Sequence, residues 1–126
     1  MDENLSPEEK TSKQIEKQKA IKRETSRLKS VFRDLDKNML KTVDSLIRNA
    51  AFMSVSLAEI QEIINLEGYV VPYKNGEHQH GTKQSDAVKT HIAMTKNHAS
   101  IIKQLTDLVP PERKKDSRLQ MIKGGK

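Results

Sequence analysis

The 126-residue sequence predicts a mainly α-helical protein of three helices and one small β-hairpin, assembled with copies of itself into an oligomer. Three observations lead there. Met39, Val43, Leu46, Ala50, Met53, Leu57, Ile60 and Ile64 recur at alternating spacings of four and three, the period of a helix packed on other helices. Residues 69–84 break that period with β-branched and aromatic residues leading into Asn75-Gly76. Only 34% of the residues are hydrophobic and 3% aromatic, against about 45–50% apolar in an ordinary domain, so the apolar residues present are expected to complete a core between subunits.

The first helix is expected over about 7–35. Ser6-Pro7-Glu8-Glu9 supplies a capping Ser, a Pro at the first helical position and a Glu at the third. Its apolar stripe (Ile21, Leu28, Val31, Phe32, Leu35) exists only in the second half, and Lys10, Lys13 and Lys17 hold the stripe in the first half. Residues 1–20 therefore read as a basic arm projecting from a core of 21–109, or as an extension of its first helix. Lys22, Lys29 and Arg33 are expected on the outward side, with Arg23 and Arg27 beside them.

Asp36 caps a second helix over about 37–67, stopped by Gly68. Ser56-Leu57-Ala58-Glu59 matches a capping box, yet the seam keeps its phase across it, which favours one continuous helix over two. Phe52, Val55 and Leu66 fall outside the seam and call for a neighbouring subunit to cover them. Residues 69–84 form a hairpin with a tight turn at Asn75-Gly76, the alternative being an irregular loop, and Pro72 requires an unpaired position.

Ser85 caps a third helix over about 86–108, ended by Pro110-Pro111, that folds back antiparallel on the second. Val88, Ile92, Thr95, Ala99 and Ile102 make one seam, while Met94, Ile101, Leu105 and Leu108 make a second side left for a neighbour. The expected assembly residues are Met39, Val43, Leu46, Phe52, Met53, Val55, Leu57, Ile60, Ile64, Ile101 and Leu105. Residues 110–126 lack periodic apolar residues and read as a flexible basic tail.

Charge is segregated along the chain. Residues 10–33 hold nine bases against Glu16 and Glu24, net +7; residues 34–67 hold three bases against six acids, net −3; the last seventeen hold six bases against two acids, net +4. Clustered cations of this kind engage phosphate backbones. Lys13, Lys17, Lys22, Arg23, Arg27, Lys29 and Arg33, with Lys114 and Lys115 of the tail, are the candidates.

Catalysis is not expected. The sequence has no Cys, no HExxH and no phosphate-binding glycine loop, and its His pairs (78 and 80, 91 and 98) lack the companions of a zinc site. No metal or other cofactor is called for. No apolar run reaches the roughly 18 residues of a membrane span, and the acidic start is unlike a signal peptide, so a cytoplasmic protein without membrane association is expected.

Residues 31–112 resemble the phage terminase small subunits of tailed phages and prophages of Gram-positive bacteria. The resemblance lies in FRDLDKNMLKTVDSLIRNAAFMSVSLAEIQEIINLEG, then YKNGEHQHGTKQS, then IIKQLTDLVPPE. Departures are Ser85-Asp86 in place of Ser-Pro, and His91 and His98 in place of tyrosine. The resemblance implies a non-catalytic DNA-recognition component of a genome-packaging motor in the bacterial host cytoplasm. Such a protein binds double-stranded viral DNA as a ring homo-oligomer and recruits a large terminase subunit carrying ATPase and nuclease. The rival class is a helical coiled-coil adaptor whose basic flanks meet an acidic protein.

Overall fold

The computed structural model describes residues 5–109 and 121–122. Three helices, α1 (Pro7–Val31), α2 (Lys37–Glu67) and α3 (Asp86–Asp107), accompany one antiparallel hairpin of β1 (Val70–Lys74) and β2 (His80–Gln84). The helices start where the sequence places them. Ser6 Oγ accepts the Glu9 N–H while the Glu9 carboxylate accepts the Ser6 N–H, and Asp36 accepts the Met39 N–H at 2.7 Å. Each contact satisfies a backbone donor that the first turn otherwise leaves unpaired.

Helix α1 ends at Val31, four residues short of the expected end. The chain must reverse between α1 and α2, and residues 32–35 make that turn, with the Leu35 N–H donating to the Phe32 carbonyl. Phe32 is the C-cap and points into the core, so the apolar stripe continues through a turn instead of a helix. Helix α2 is continuous over the expected span, and Ser56 is a buried mid-helix residue instead of a cap.

Helix α2 lies between the other two. Lys17 meets Glu59 and Lys29 meets Asp44, so α1 runs antiparallel to α2 along its length. The expected projecting arm is thereby corrected: opposite charges 42 residues apart in sequence draw the first half of α1 onto the second half of α2. Helix α3 packs on α2 as expected, with Gln61 beside His91 near the hairpin end.

The expected seam of α3 is sheltered only at its ends, where Val88 and Ile102 are half-buried and Ile102 packs on the core. His91, Met94, His98, Ile101, Leu105 and Leu108, spaced three and four apart, are the sheltered side, whereas Ile92, Thr95 and Ala99 are exposed. This is the second side that the sequence displays, Met94, Ile101, Leu105 and Leu108, extended by the two imidazoles.

The buried hydrophobic residues are Leu28, Val31, Phe32, Val43, Ile47, Ala50, Ala51, Leu105, Val109 and Met121. All ten belong to the end of the bundle where α1 finishes, α2 begins and α3 finishes. Met121 corrects the expectation of a free tail at that position: its side chain is 5% exposed, and its carbonyl accepts from Arg27 Nη2 at 3.2 Å. From Leu57 to Ile102, by contrast, no hydrophobic side chain is buried.

In the hairpin, residues 75–79 form a five-residue connection, not the tight turn expected, with the Asn75 N–H donating to the Gln79 carbonyl at 2.8 Å. Gly76 takes φ +90, where a side chain would be strained. Hydrogen-bonded pairs alternate along an antiparallel ladder. The Asn75–Gln79 and Tyr69–Ser85 bonds put Pro72, paired with Thr82, at a site whose backbone N faces away from the partner strand. Pro72 thus costs the hairpin no hydrogen bond.

Candidate nucleic-acid interface

The packing of α1 divides its cations into two groups. At 100° per residue, Lys10 and Lys17 lie on the side of Leu28, toward α2. Lys17 Nζ is 2.8 Å from Glu59 and 4.8 Å from the centre of the Phe52 ring. With Lys10, Lys13, Glu62, Ile63 and Leu66, Lys17 and Glu59 line a cleft of about 620 Å³. Lys29 Nζ is 3.4 Å from Asp44, which also accepts from Arg48 at 2.8 Å. The Arg48 hydrogen bond is the main cause that holds the Asp44 carboxyl below its usual range; Lys29 adds to it, and desolvation opposes both. Arg27 is half-buried, held by the Glu24 carboxylate and the Met121 carbonyl. Three of the expected phosphate ligands are therefore engaged within the subunit.

The second group faces away from the core. Lys19, Lys22 and Arg23, with Ser26 and Ser30, fall within an arc of about 100° opposite Leu28, and Arg33 extends it past the helix end. All are exposed, and Lys19, Lys22, Arg23 and Arg33 make no ion pair among the described residues. Lys19 to Ser30 spans about 16 Å along the helix axis at about 1.5 Å per residue. A straight row of unpaired cations with hydroxyls between them can contact successive phosphates of a duplex. The sequence reading missed Lys19, though the spacing of three and four from Lys22 and Arg23 identifies it. Lys114 and Lys115 lie outside the described residues.

The expected assembly residues also divide. Val43 and Leu105 are wholly buried within the subunit, so they serve its own fold. Met39, Leu46, Met53, Val55, Leu57, Ile60, Ile64 and Ile101 are half-buried, Leu46 and Ile101 against the core. Phe52 is exposed, as are Ile15, Leu66 (89%), Tyr69 (75%), Val70, Tyr73 and Ile92. Five of these, from Leu66 to Ile92, belong to the hairpin end of the bundle. There Gln61, Ile64, Asn65, Tyr69, Val88, His91 and Ile92 line a second cleft.

His98 sits on the sheltered side of α3. Burial pushes its imidazole below the ordinary value, and the nearby Glu24 carboxylate opposes that shift. Among the described residues, no group of three or more His, Cys, Asp or Glu side chains is arranged to hold a metal ion. No described helix is long and apolar enough to cross a membrane. Comparison with family models, curated proteins and solved structures finds no match to this chain.

Proposed function

We propose that this chain is a non-catalytic DNA-binding subunit, the small terminase of a phage genome-packaging motor. In this reading it captures double-stranded viral DNA through the outer face of α1, works as a ring of identical subunits, and passes the DNA to a large terminase subunit with ATPase and nuclease activity. The observation that carries DNA capture is the row Lys19, Lys22, Arg23 and Arg33, exposed on the side opposite the core and without an ion pair among the described residues. Its position needs no rearrangement of the bundle to meet a phosphate backbone. The terminase identity draws its support from the order and spacing of the three sequence blocks in 31–112. Self-assembly draws support from the exposed Phe52, Leu66, Tyr69 and Ile92, more apolar surface than an isolated chain with so small a core readily tolerates. A ring repeats the α1 row at fixed spacing and multiplies weak phosphate contacts.

The test is duplex binding across a salt series. Replacing Lys19, Lys22, Arg23 and Arg33 with Gln is expected to lower affinity and flatten its salt dependence, while Lys17→Gln with Lys29→Gln leaves the salt dependence as it was. Unchanged binding in the first variant refutes the assignment and returns the chain to the class of protein-binding adaptors.

A further inference from the structure

The hairpin has two free edges, and only one can accept another strand. On the β1 edge the outward-facing backbone positions are Val70, Pro72 and Lys74, and the central one carries no N–H and a ring that obstructs approach. On the β2 edge they are His80, Thr82 and Gln84, all exposed and each with a free N–H and C=O directed outward.

We propose that the β2 edge is a docking site for the β2 edge of a second copy of this chain, paired antiparallel about a two-fold axis at Thr82. The self-complementarity of His80–Gln84 commits the edge to that occupant. Centred on Thr82, the pairing sets Thr82 against Thr82, His80 against Gln84 and Gly81 against Lys83, with no like charges opposed and a favourable threonine pair in the middle. Centring it one residue later sets Lys83 against Lys83, so the register is selected. Up to about six backbone hydrogen bonds form.

The side chains on the inner face agree with this register. The Tyr73 ring lies across Gly81, where a Cβ would stand 2.9 Å from the ring. The next residue in that row is Lys83 of the second copy; its ammonium lies 3.7 Å from Asp86 of its own subunit, an exposed pair that it can exchange for the half-exposed tyrosine ring. Because Pro72 closes the opposite edge, the sheet stops at four strands and the contact joins subunits in pairs. The inference does not rest on the DNA or ring readings, since a ring needs a head-to-tail contact that repeats, whereas this one closes on itself.

A contact this small is weak alone, so the test is sedimentation of the full chain from about 10 μM to 1 mM, spanning the weak range. The parent is expected to associate reversibly in pairs, whatever the mass of the associating unit. Thr82→Pro removes the central outward N–H and no bond of the hairpin itself, and is expected to weaken pairing at least about tenfold. Should that variant fail to fold, a charge pair decides. His80→Glu with Gln84→Glu opposes carboxylates between copies, yet leaves the position-80 carboxylate facing Lys74 within the hairpin. It is expected to abolish pairing, and His80→Glu with Gln84→Lys to restore it. No pairing of the parent at 1 mM, or equal pairing of the two charge variants, overturns the proposal.

Discussion

Met121→Ala tests whether the end of the chain belongs to the core. The Met121 side chain is 5% exposed and grouped with Leu28, Val31 and Phe32 of α1, while the neighbouring Ile122 is 67% exposed. Truncation to Ala removes three heavy atoms from a buried site. At about 0.8 kcal/mol for each methylene-sized group, the lost transfer free energy is about 2.4 kcal/mol, and any cavity left behind adds to it. The lower end of the usual range, about 2–3 kcal/mol, is expected. The Arg27 hydrogen bond goes to the Met121 carbonyl and survives the substitution. Ile122→Ala is the internal control, at about 0.5 kcal/mol or less for an exposed position. The assay is urea unfolding followed by far-UV circular dichroism, because the chain has no Trp and most of its signal is helical. With a slope of about 1–3 kcal/mol/M, the midpoint for Met121→Ala should fall by roughly 1–2 M and that for Ile122→Ala should barely move. Equal midpoints for the two variants refute the docking of the chain end.

Two further outcomes follow from buried polar groups. His98 is neutral in the fold because burial depresses its pKa, so the unfolded chain takes up the proton first as pH falls. Its contribution to stability is complete above the unfolded imidazole value of 6.5 and is lost as pH drops from there through the depressed folded value. Between about pH 7.5 and 5.5, the parent should therefore lose more stability to urea than His98→Gln does; equal losses contradict the assignment. Ser56 Oγ is buried in α2 with no hydrogen-bond partner among the described residues, so Ser56→Ala removes an unmet desolvation cost and gains helix propensity. A rise of about 1 kcal/mol in unfolding free energy is expected, and a fall would mean that the hydroxyl is satisfied.

The parts of the fold that the sequence displays are those decided locally. Ser6 and Asp36 act on backbone groups three residues away, and the four-and-three alternation from Met39 to Ile64 needs no partner to be visible. What escaped depends on contacts distant in sequence. Nothing in the first half of α1 reveals that Lys17 meets Glu59, because any exposed acid is an equally good partner until the fold brings one near. The facing of α3 was undecided in the sequence because both of its sides carry apolar residues at helical spacing, and Met121 was hidden by standing alone in a basic segment. For the candidate site, the sequence separates Lys22, Arg23 and Arg33 on the outward side from Lys10 and Lys17 on the stripe, but it cannot show that Lys29 and Arg27 are engaged within the subunit. The net charge of +7 over residues 10–33 counts cations that point in both directions.

That separation changes how strongly DNA binding should depend on salt. Seven candidate cations on α1 all engaging phosphate imply a slope of about −6 in log affinity against log salt for each engaged chain, at about −0.9 for each phosphate neutralised. Of these the structure leaves Lys22, Arg23 and Arg33 without an ion pair among the described residues on the outer face, and Lys19 joins them, four cations for a slope of about −3.6. Lys17 and Lys29 can reach a phosphate only by leaving Glu59 and Asp44, and each abandoned carboxylate then draws a cation from solution. The counterion released at the DNA is offset by the one recruited to the protein, so a paired lysine adds almost nothing to the slope even when it touches DNA. An intermediate slope alone leaves open which cations act, but the variants resolve it. Neutralising the outer four should remove the salt dependence, and neutralising Lys17 and Lys29 should leave it intact. A slope that falls in proportion to every lysine removed, whichever way it faces, would mean that α1 leaves α2 to bind DNA.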